Sequence, residues 1–211
     1  MKYFLALILF FLCSCAPKLS NQLRSFEKLE PTISQWKDLP VQPLTFESET
    51  KVNLDETCPV HLFPSGKSYV QGFALPAKQP LEVIIKSYPI GNSIHDAYLF
   101  VPCVLLLDEN FHVIHTLEQT DSLIERTPLF ETPYVAFKNT FTFTIWPAHR
   151  VSYFVVYTTD KQRNQVSTIK MMTYSQVILP GFVGAVPVGK RVLSVPHAPV
   201  GLLKISVKDL K

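Results

Sequence analysis

Hydrophobic and polar positions alternate with a period of two in several stretches of the chain. The clearest is residues 140–145, where Thr140, Thr142 and Thr144 alternate with Phe141, Phe143 and Ile145. That period puts one residue type on each face of a half-buried β-strand, threonines to water and the aromatic and branched residues to a core. Leu203, Ile205 and Val207 alternate with Lys204, Ser206 and Lys208 in the same way. Two more runs, 69–75 and 81–86, are separated by a loop whose Pro76 and Pro80 stop both strands. Runs 98–107 and 111–117 flank Asp108-Glu109-Asn110, a hairpin connection in which Asn110 can take positive φ. Residues 151–158 are β-branched and aromatic on both faces, and 52–54 is a short further strand. About eight strands with turn signals between them predict an all-β, antiparallel, jelly-roll-like β-sandwich over residues 41–211. The stretches 118–138 and 159–200 read as surface connections with room for short helices.

Upstream of residue 41 the pattern changes. Leu19, Leu23, Phe26 and Leu29 recur at helical spacing, which predicts a short amphipathic helix over 20–29 within a polar tether, residues 15–40. Ten residues are marginal as an isolated helix, so it must dock on the domain or fray. Before it, Lys2 precedes an uncharged apolar run at 3–12. About ten residues are too few for a membrane-spanning helix, which needs roughly 20, but match the apolar region of an export signal. Leu12-Cys13-Ser14-Cys15 then resembles the bacterial lipoprotein box, with residues 1–14 removed and Cys15 acylated. Several acyl chains on one residue hold a protein to a membrane stably. Ala16 follows, with no Asp to signal inner-membrane retention, so the expectation is a lipid-anchored, palmitate-bearing protein on the periplasmic face of the outer membrane.

Export changes the reading of the remaining cysteines. Cys58 and Cys103 form an even pair in an oxidising compartment and are a candidate disulfide. It would close a loop of roughly 45 residues and contribute about 4 kcal/mol. The alternative is that Cys103, inside an apolar run, is a small buried hydrophobe.

Composition narrows the function classes. Of 211 residues, 47% are hydrophobic and 18% charged, which excludes a disordered chain. The 17 prolines against 7 glycines suit a β protein with many strand stops. The net charge of +3 is spread without a Lys/Arg block, so no nucleic-acid surface is expected. Gly66-Lys67-Ser68 has the ending of a phosphate-binding loop, but His61 stands where the first glycine is required. His112 and His115 are three apart on an expected strand and point to opposite faces, while His61, His95, His149 and His197 are scattered. The carboxylate pairs Glu47/Glu49, Asp55/Glu56 and Asp108/Glu109 sit at expected turns or strand ends. No nucleophile, base and stabiliser come together in the sequence, so neither catalysis, a metal nor a cofactor is expected.

Trp36 and Trp146 are the large aromatic faces. Trp146 falls one residue beyond the 141–145 alternation and just before Pro147, at a strand tip. With His149 and Arg150 beside it, it is the candidate carbohydrate-stacking surface. Core or rim packing is the alternative.

The sequence Phe73-Ala74-Leu75-Pro76-Ala77, followed by an apolar strand and then Phe100-Val101-Pro102, Val104-Leu105-Leu106-Leu107-Asp108 and Phe111, resembles the maltose operon periplasmic protein family. So do residues 153–159, Gly184-Ala185-Val186-Pro187 and residues 199–205, in the family's order. The chain departs from the pattern at Val188, where the family tends to carry an acidic residue. The resemblance implies an exported envelope protein associated with maltose and maltodextrin uptake, without an established catalytic residue. The expected partners are a membrane through the lipid anchor, and maltodextrin or an envelope transport protein. The leading expectation is an accessory or binding module in carbohydrate uptake; the other is a structural adaptor contacting another envelope protein or peptidoglycan.

Overall fold

The computed structural model describes residues 19–77, 80–91, 93, 95–119, 123–126, 137–179 and 182–210. The chain opens with helix α1 (Leu19–Glu27) and a 3-10 turn, Trp36–Asp38, before strands β1 (Val41–Pro43) and β2 (Glu49–Leu54). A small hairpin of β3 (Val60–Phe63) and β4 (Gly66–Tyr69) leads into β5 (Gln71–Ala74) and β6 (Leu81–Tyr88). Strands β7 (Cys103–Leu107), β8 (Val113–Glu118), β9 (Leu123–Arg126), β10 (Phe137–Ile145) and β11 (Tyr153–Tyr157) follow. One helical turn, α2 (Asp160–Arg163), then precedes a long hairpin, β12 (Val166–Leu179) and β13 (Phe182–Pro196), and β14 (Gly201–Asp209) ends the fold.

Two five-stranded sheets form the sandwich, ordered β1-β5-β11-β7-β8 and β2-β14-β6-β10-β9. The all-β sandwich expected from the alternation is therefore present, with one parallel pairing, β1 against β5. The core lies between the sheets. Phe73, Val104, Leu106, Phe154 and Val156 from one sheet meet Val83, Ile85, Phe143, Ile145, Leu203 and Ile205 from the other. Phe154 stacks on Phe73 at 5.0 Å and meets Phe143 edge-on at 5.9 Å.

The second sheet turns its other face to water. Its β6, β10 and β14 alternate buried and more exposed residues, and Glu49 on β2 bridges Lys86 and Lys204 at 3.1 Å each across that face. The central strands of the first sheet are covered on both faces, which is why β7 is buried at every residue, while β8 at the edge is exposed. Leu39, Phe63, Val70, Leu105, Val155 and Tyr157 form a second core on its far side. Phe63 stacks on Tyr157 at 4.1 Å, and Trp36 packs on His61 and Phe63 at 4.1 and 5.7 Å.

The N-terminal segment thus docks rather than frays. Phe26 of α1 is buried against Tyr69 at 4.9 Å. Lys67 Nζ donates to the carbonyls of Glu27 and Leu29 at 2.6 and 2.8 Å, placing a cation on the helix's C-terminal carbonyls.

Three expectations are corrected. The strand read at 69–75 breaks at Val70, whose N–H donates to Pro59 O as the chain leaves the small hairpin for the sheet. The strand read at 98–107 begins only at Cys103. Residues 98–101 are buried as a crossing between sheets, fixed by Ser87 Oγ donating to Phe100 O at 2.6 Å and by Leu99 N–H donating to Pro196 O at 2.9 Å. Most of the stretch read as a surface connection at 159–200 is the β12–β13 hairpin, which belongs to neither large sheet. Gly184, Pro187, Gly189 and Pro196, which weigh as stops in a local reading, fall instead within a two-stranded ladder, where a strand paired on one side only accommodates a proline's missing donor.

Candidate functional site

The alternation of β10 decides where Trp146 stands. Phe143 and Ile145 point into the core, and Trp146, one residue on, is 51% exposed at the end of the strand. Pro147 stops the strand and opens a 3-10 turn, Pro147–His149. The Trp146 backbone N–H donates to His149 Nδ1 at 3.1 Å, which holds His149 against the strand end. Arg150 closes the turn at φ 51° and ψ 34°, a left-handed conformation unusual for a residue with a Cβ.

Arg150 lines an open cleft of ≈ 630 Å³ with Pro147, Val151 and Ser152 on one side and Asp108, Glu109 and Asn110 on the other. The latter three form the β7–β8 turn. Asp108 organises it: its Oδ1 accepts the N–H groups of Asn110 and His112 at 2.8 Å each, and Oδ2 lies 3.2 Å from His112 Nδ1. The His112 N–H is the largest of the influences that hold the Asp108 carboxyl below its ordinary pKa. Positive φ in this turn belongs to Phe111 (62°) and not, as expected, to Asn110. The conformation lays the Phe111 ring on Tyr153 at 4.4 Å, and such a stack is worth about 0.5–1.5 kcal/mol against a backbone cost of about 1–3.

Two strained residues, Phe111 and Arg150, therefore stand in the two loops that flank one cleft. Of the three sequence candidates only Arg150 lines it, while Trp146 and His149 adjoin it through the turn. By sequence Asp108, Glu109 and Asn110 are a solvated turn between two strands. Nothing in one sequence indicates that this turn meets Arg150 across the sheet end. The result is an exposed indole bordering a cleft with a guanidinium, carboxylates and an amide, groups that can stack on a ring and exchange hydrogen bonds with hydroxyls.

The cysteine pairing is corrected. Cys58 and Cys103 are both free thiols. Cys58 packs at the edge of the main core, its Sγ 3.3 Å from Asn53 O, while Cys103 is fully buried in the second core on the far side of its sheet. Burial pushes the Cys103 thiol up to about 12 and that of Cys58 above its ordinary value. Cys15, the expected lipidation site, lies outside the described residues, as do the apolar leader and the first residues of the tether.

A buried polar network went unseen in the sequence because its members are far apart along the chain. Gln119 and Asn139 exchange two amide hydrogen bonds at 2.9 and 3.0 Å. Gln162 Nε2 donates to Gln119 O at 3.1 Å. His197 then joins Gln162 O through Nδ1 at 2.6 Å and Ser167 Oγ through Nε2 at 2.8 Å. Burial holds the His197 imidazole below its ordinary pKa and favours the neutral ring. The contact of Ser167 with His197 has the geometry of a nucleophile and base. Both residues are buried, however, and the imidazole is oriented by a backbone carbonyl. The network ties α2 to the root of the long hairpin.

Among the described residues no three His, Cys, Asp or Glu side chains converge to hold a metal ion, and no helix is long and apolar enough to cross a membrane. What the architecture defines is a β-sandwich with a bordered cleft at one end and a two-stranded arm. A family model described as maltose operon periplasmic protein precursor (MalM) matches residues 65–207, from β4 to β14, and the chain belongs to that family. Membership places it among proteins of the bacterial cell envelope. Comparisons with curated proteins and with solved structures found no match.

Proposed function

We propose that this protein is a non-catalytic carbohydrate-binding accessory of maltose and maltodextrin uptake, anchored through an acylated Cys15 to the periplasmic face of the outer membrane. The observation that carries the binding reading is Trp146, half exposed at a strand tip beside the cleft that Arg150, Asp108, Glu109 and Asn110 line. The exposed half of the indole gains little for the fold, whereas against the apolar face of a glucose ring it supplies the platform a sugar site needs. Family membership supports maltodextrin as the sugar.

The test is a fluorescence titration. Maltodextrin is expected to perturb the tryptophan emission of the native protein, and Trp146→Ala to abolish the response and lower affinity at least tenfold with thermal stability kept within about 1 kcal/mol. Absence of binding at millimolar maltodextrin, together with a Trp146→Ala protein whose melting temperature falls by several degrees, would make Trp146 a packing residue and end the proposal. For the anchor, Cys15→Ser is expected to leave an unprocessed, unacylated precursor. A processed, acylated Cys15→Ser protein would refute it.

A further inference from the structure

The β12–β13 arm is the one long element of the described residues that neither large sheet contains. Its strands pair along their whole length, from Val166 with Pro196 to Leu179 with Phe182. The root is packed: Ile169 and Val195 join Leu99, Val101 and Phe137, Leu193 is buried on the rung of Ile169, and Ser167 is held by His197. Beyond the root the chemistry separates into two zones. Lys170, Arg191 and Lys190 occupy three successive rungs, paired with Val192, Met171 and Met172. The register shifts at Thr173/Tyr174, and past it residues 173–179 and 182–189 contain no charged residue. From Lys161 to Lys208 the chain has cations and no Asp or Glu at all.

Such a ladder is badly suited to water. A two-stranded hairpin is marginal by itself, and exposed strand edges are ordinarily protected by charge, which the distal half lacks. Six rises of roughly 3.3 Å give that half a length of about 20 Å. One leaflet's hydrocarbon is about 15 Å thick, half of the usual 30 Å. The ladder's outer N–H and C=O groups would be unsatisfied in hydrocarbon, so it cannot span a bilayer alone and is confined to the interface.

We infer that the distal half of the arm seats in the interfacial region of an anionic lipid bilayer, with Lys170, Lys190 and Arg191 as a collar at the lipid phosphates. Charge complementarity selects this occupant, since an all-cationic collar with no acidic residue nearby in sequence matches an anionic surface. Tyr174 stands two rungs past the collar on β12, close to the depth at which tyrosine is enriched in membrane proteins. Lys190 is exposed, and Val192, on the Lys170 rung, is 58% exposed, so apolar surface begins at the collar itself. The inference depends neither on the cleft nor on an acyl group at Cys15.

The test uses the full chain with a reporter tryptophan, Phe182→Trp, over the constant background of Trp36 and Trp146. With phosphatidylcholine vesicles containing phosphatidylglycerol, the F182W emission is expected to shift to the blue and to be quenched by lipids brominated near the headgroup. Phosphatidylcholine alone should leave it unchanged. Replacing Lys170, Lys190 and Arg191 by Gln in the F182W chain is expected to weaken the response about 100-fold, from about a factor of five per cation. High salt should release the unaltered F182W arm in the same way, which keeps the test valid if the triple variant folds poorly. An F182W signal that ignores phosphatidylglycerol, even while the chain pellets with vesicles through its N-terminus, overturns the inference. So does a signal already blue-shifted without lipid in a chain that sediments as a dimer, because the arm would then be covered by a second copy.

Discussion

The two five-stranded sheets are built from similar apolar residues yet answer to different constraints. The sheet centred on β6 and β14 has one wet face: it alternates, carries its charges on the outside, and ties them there as the Glu49, Lys86 and Lys204 cluster. The sheet centred on β11 and β7 is enclosed twice, by its partner on one side and on the other by the N-terminal segment and the β3–β4 hairpin. Its central strands β7 and β11, covered on both faces, gain burial from nearly every residue and hold no charged group, and they therefore lose the alternation that would reveal which way they face.

The largest effect that would break this comparison comes from one substitution made on the outer face of each sheet. Val155, 1% exposed on the outer side of β11, should not tolerate lysine: Val155→Lys is expected to cost on the order of 4–5 kcal/mol, much of a small domain's stability. Thr142→Lys, at the solvent face of β10, should stay within about 0.5 kcal/mol. Urea denaturation of the two variants gives both values, and equal costs would mean that the N-terminal cover is absent in solution.

A smaller effect sharpens what the cover contributes. Phe63→Ala removes the ring stacked on Tyr157 and is expected to cost about 3 kcal/mol, without the unfolding that a buried charge brings. The same denaturation measurement should also show the Trp36 emission moving to the red, since Trp36 packs on Phe63. A loss below about 1 kcal/mol would show the second core to be loosely held.

The smallest effect belongs to the wet face. Burial raises the Glu49 pKa, but hydrogen bonds and charge from Lys204 and Lys86 outweigh it, so the folded-state value lies below the ordinary 4.5. A carboxyl depressed on folding adds stability that is complete above the unfolded pKa and is lost as pH falls through the folded one. Glu49→Gln should therefore cost less than about 1 kcal/mol at neutral pH, the side chain being 36% exposed, and nothing at strongly acidic pH. Melting temperatures measured from neutrality down through the carboxylate range check the sign. A Glu49→Gln protein that loses as much at low pH as at neutrality would refute the ion-pair account.

The same contrast explains what could be read in advance. Thr140 to Ile145 and Leu203 to Val207 disclosed both their strands and their inward faces, because half-buried strands write their environment as a period of two. The placement of Trp146 followed from that phase by counting one residue further. Arg150 was legible as its neighbour, but Asp108, Glu109 and Asn110 were not legible as its opposite wall, since the β7–β8 turn and the β10–β11 connection approach only because β7 pairs with β11. The long hairpin was missed because its glycines and prolines weigh as breakers in a local reading, whereas a two-stranded ladder with two free edges accommodates them.

The sequence by itself determined that this is a β-sandwich, which faces of the wet sheet's strands look inward, the family to which the chain belongs and the exposed strand tip at Trp146, all properties written in residue periodicity or motif order. Only the tertiary structure decided that one sheet is covered twice, that Cys58 and Cys103 stand in different cores as free thiols, and that Gln119, Asn139, Gln162, Ser167 and His197 form one network. The physical reason is range. Strand faces are fixed by a residue's immediate neighbours, while covering layers, thiol separation and buried hydrogen bonds depend on residues tens of positions apart that meet only when the sheets have closed.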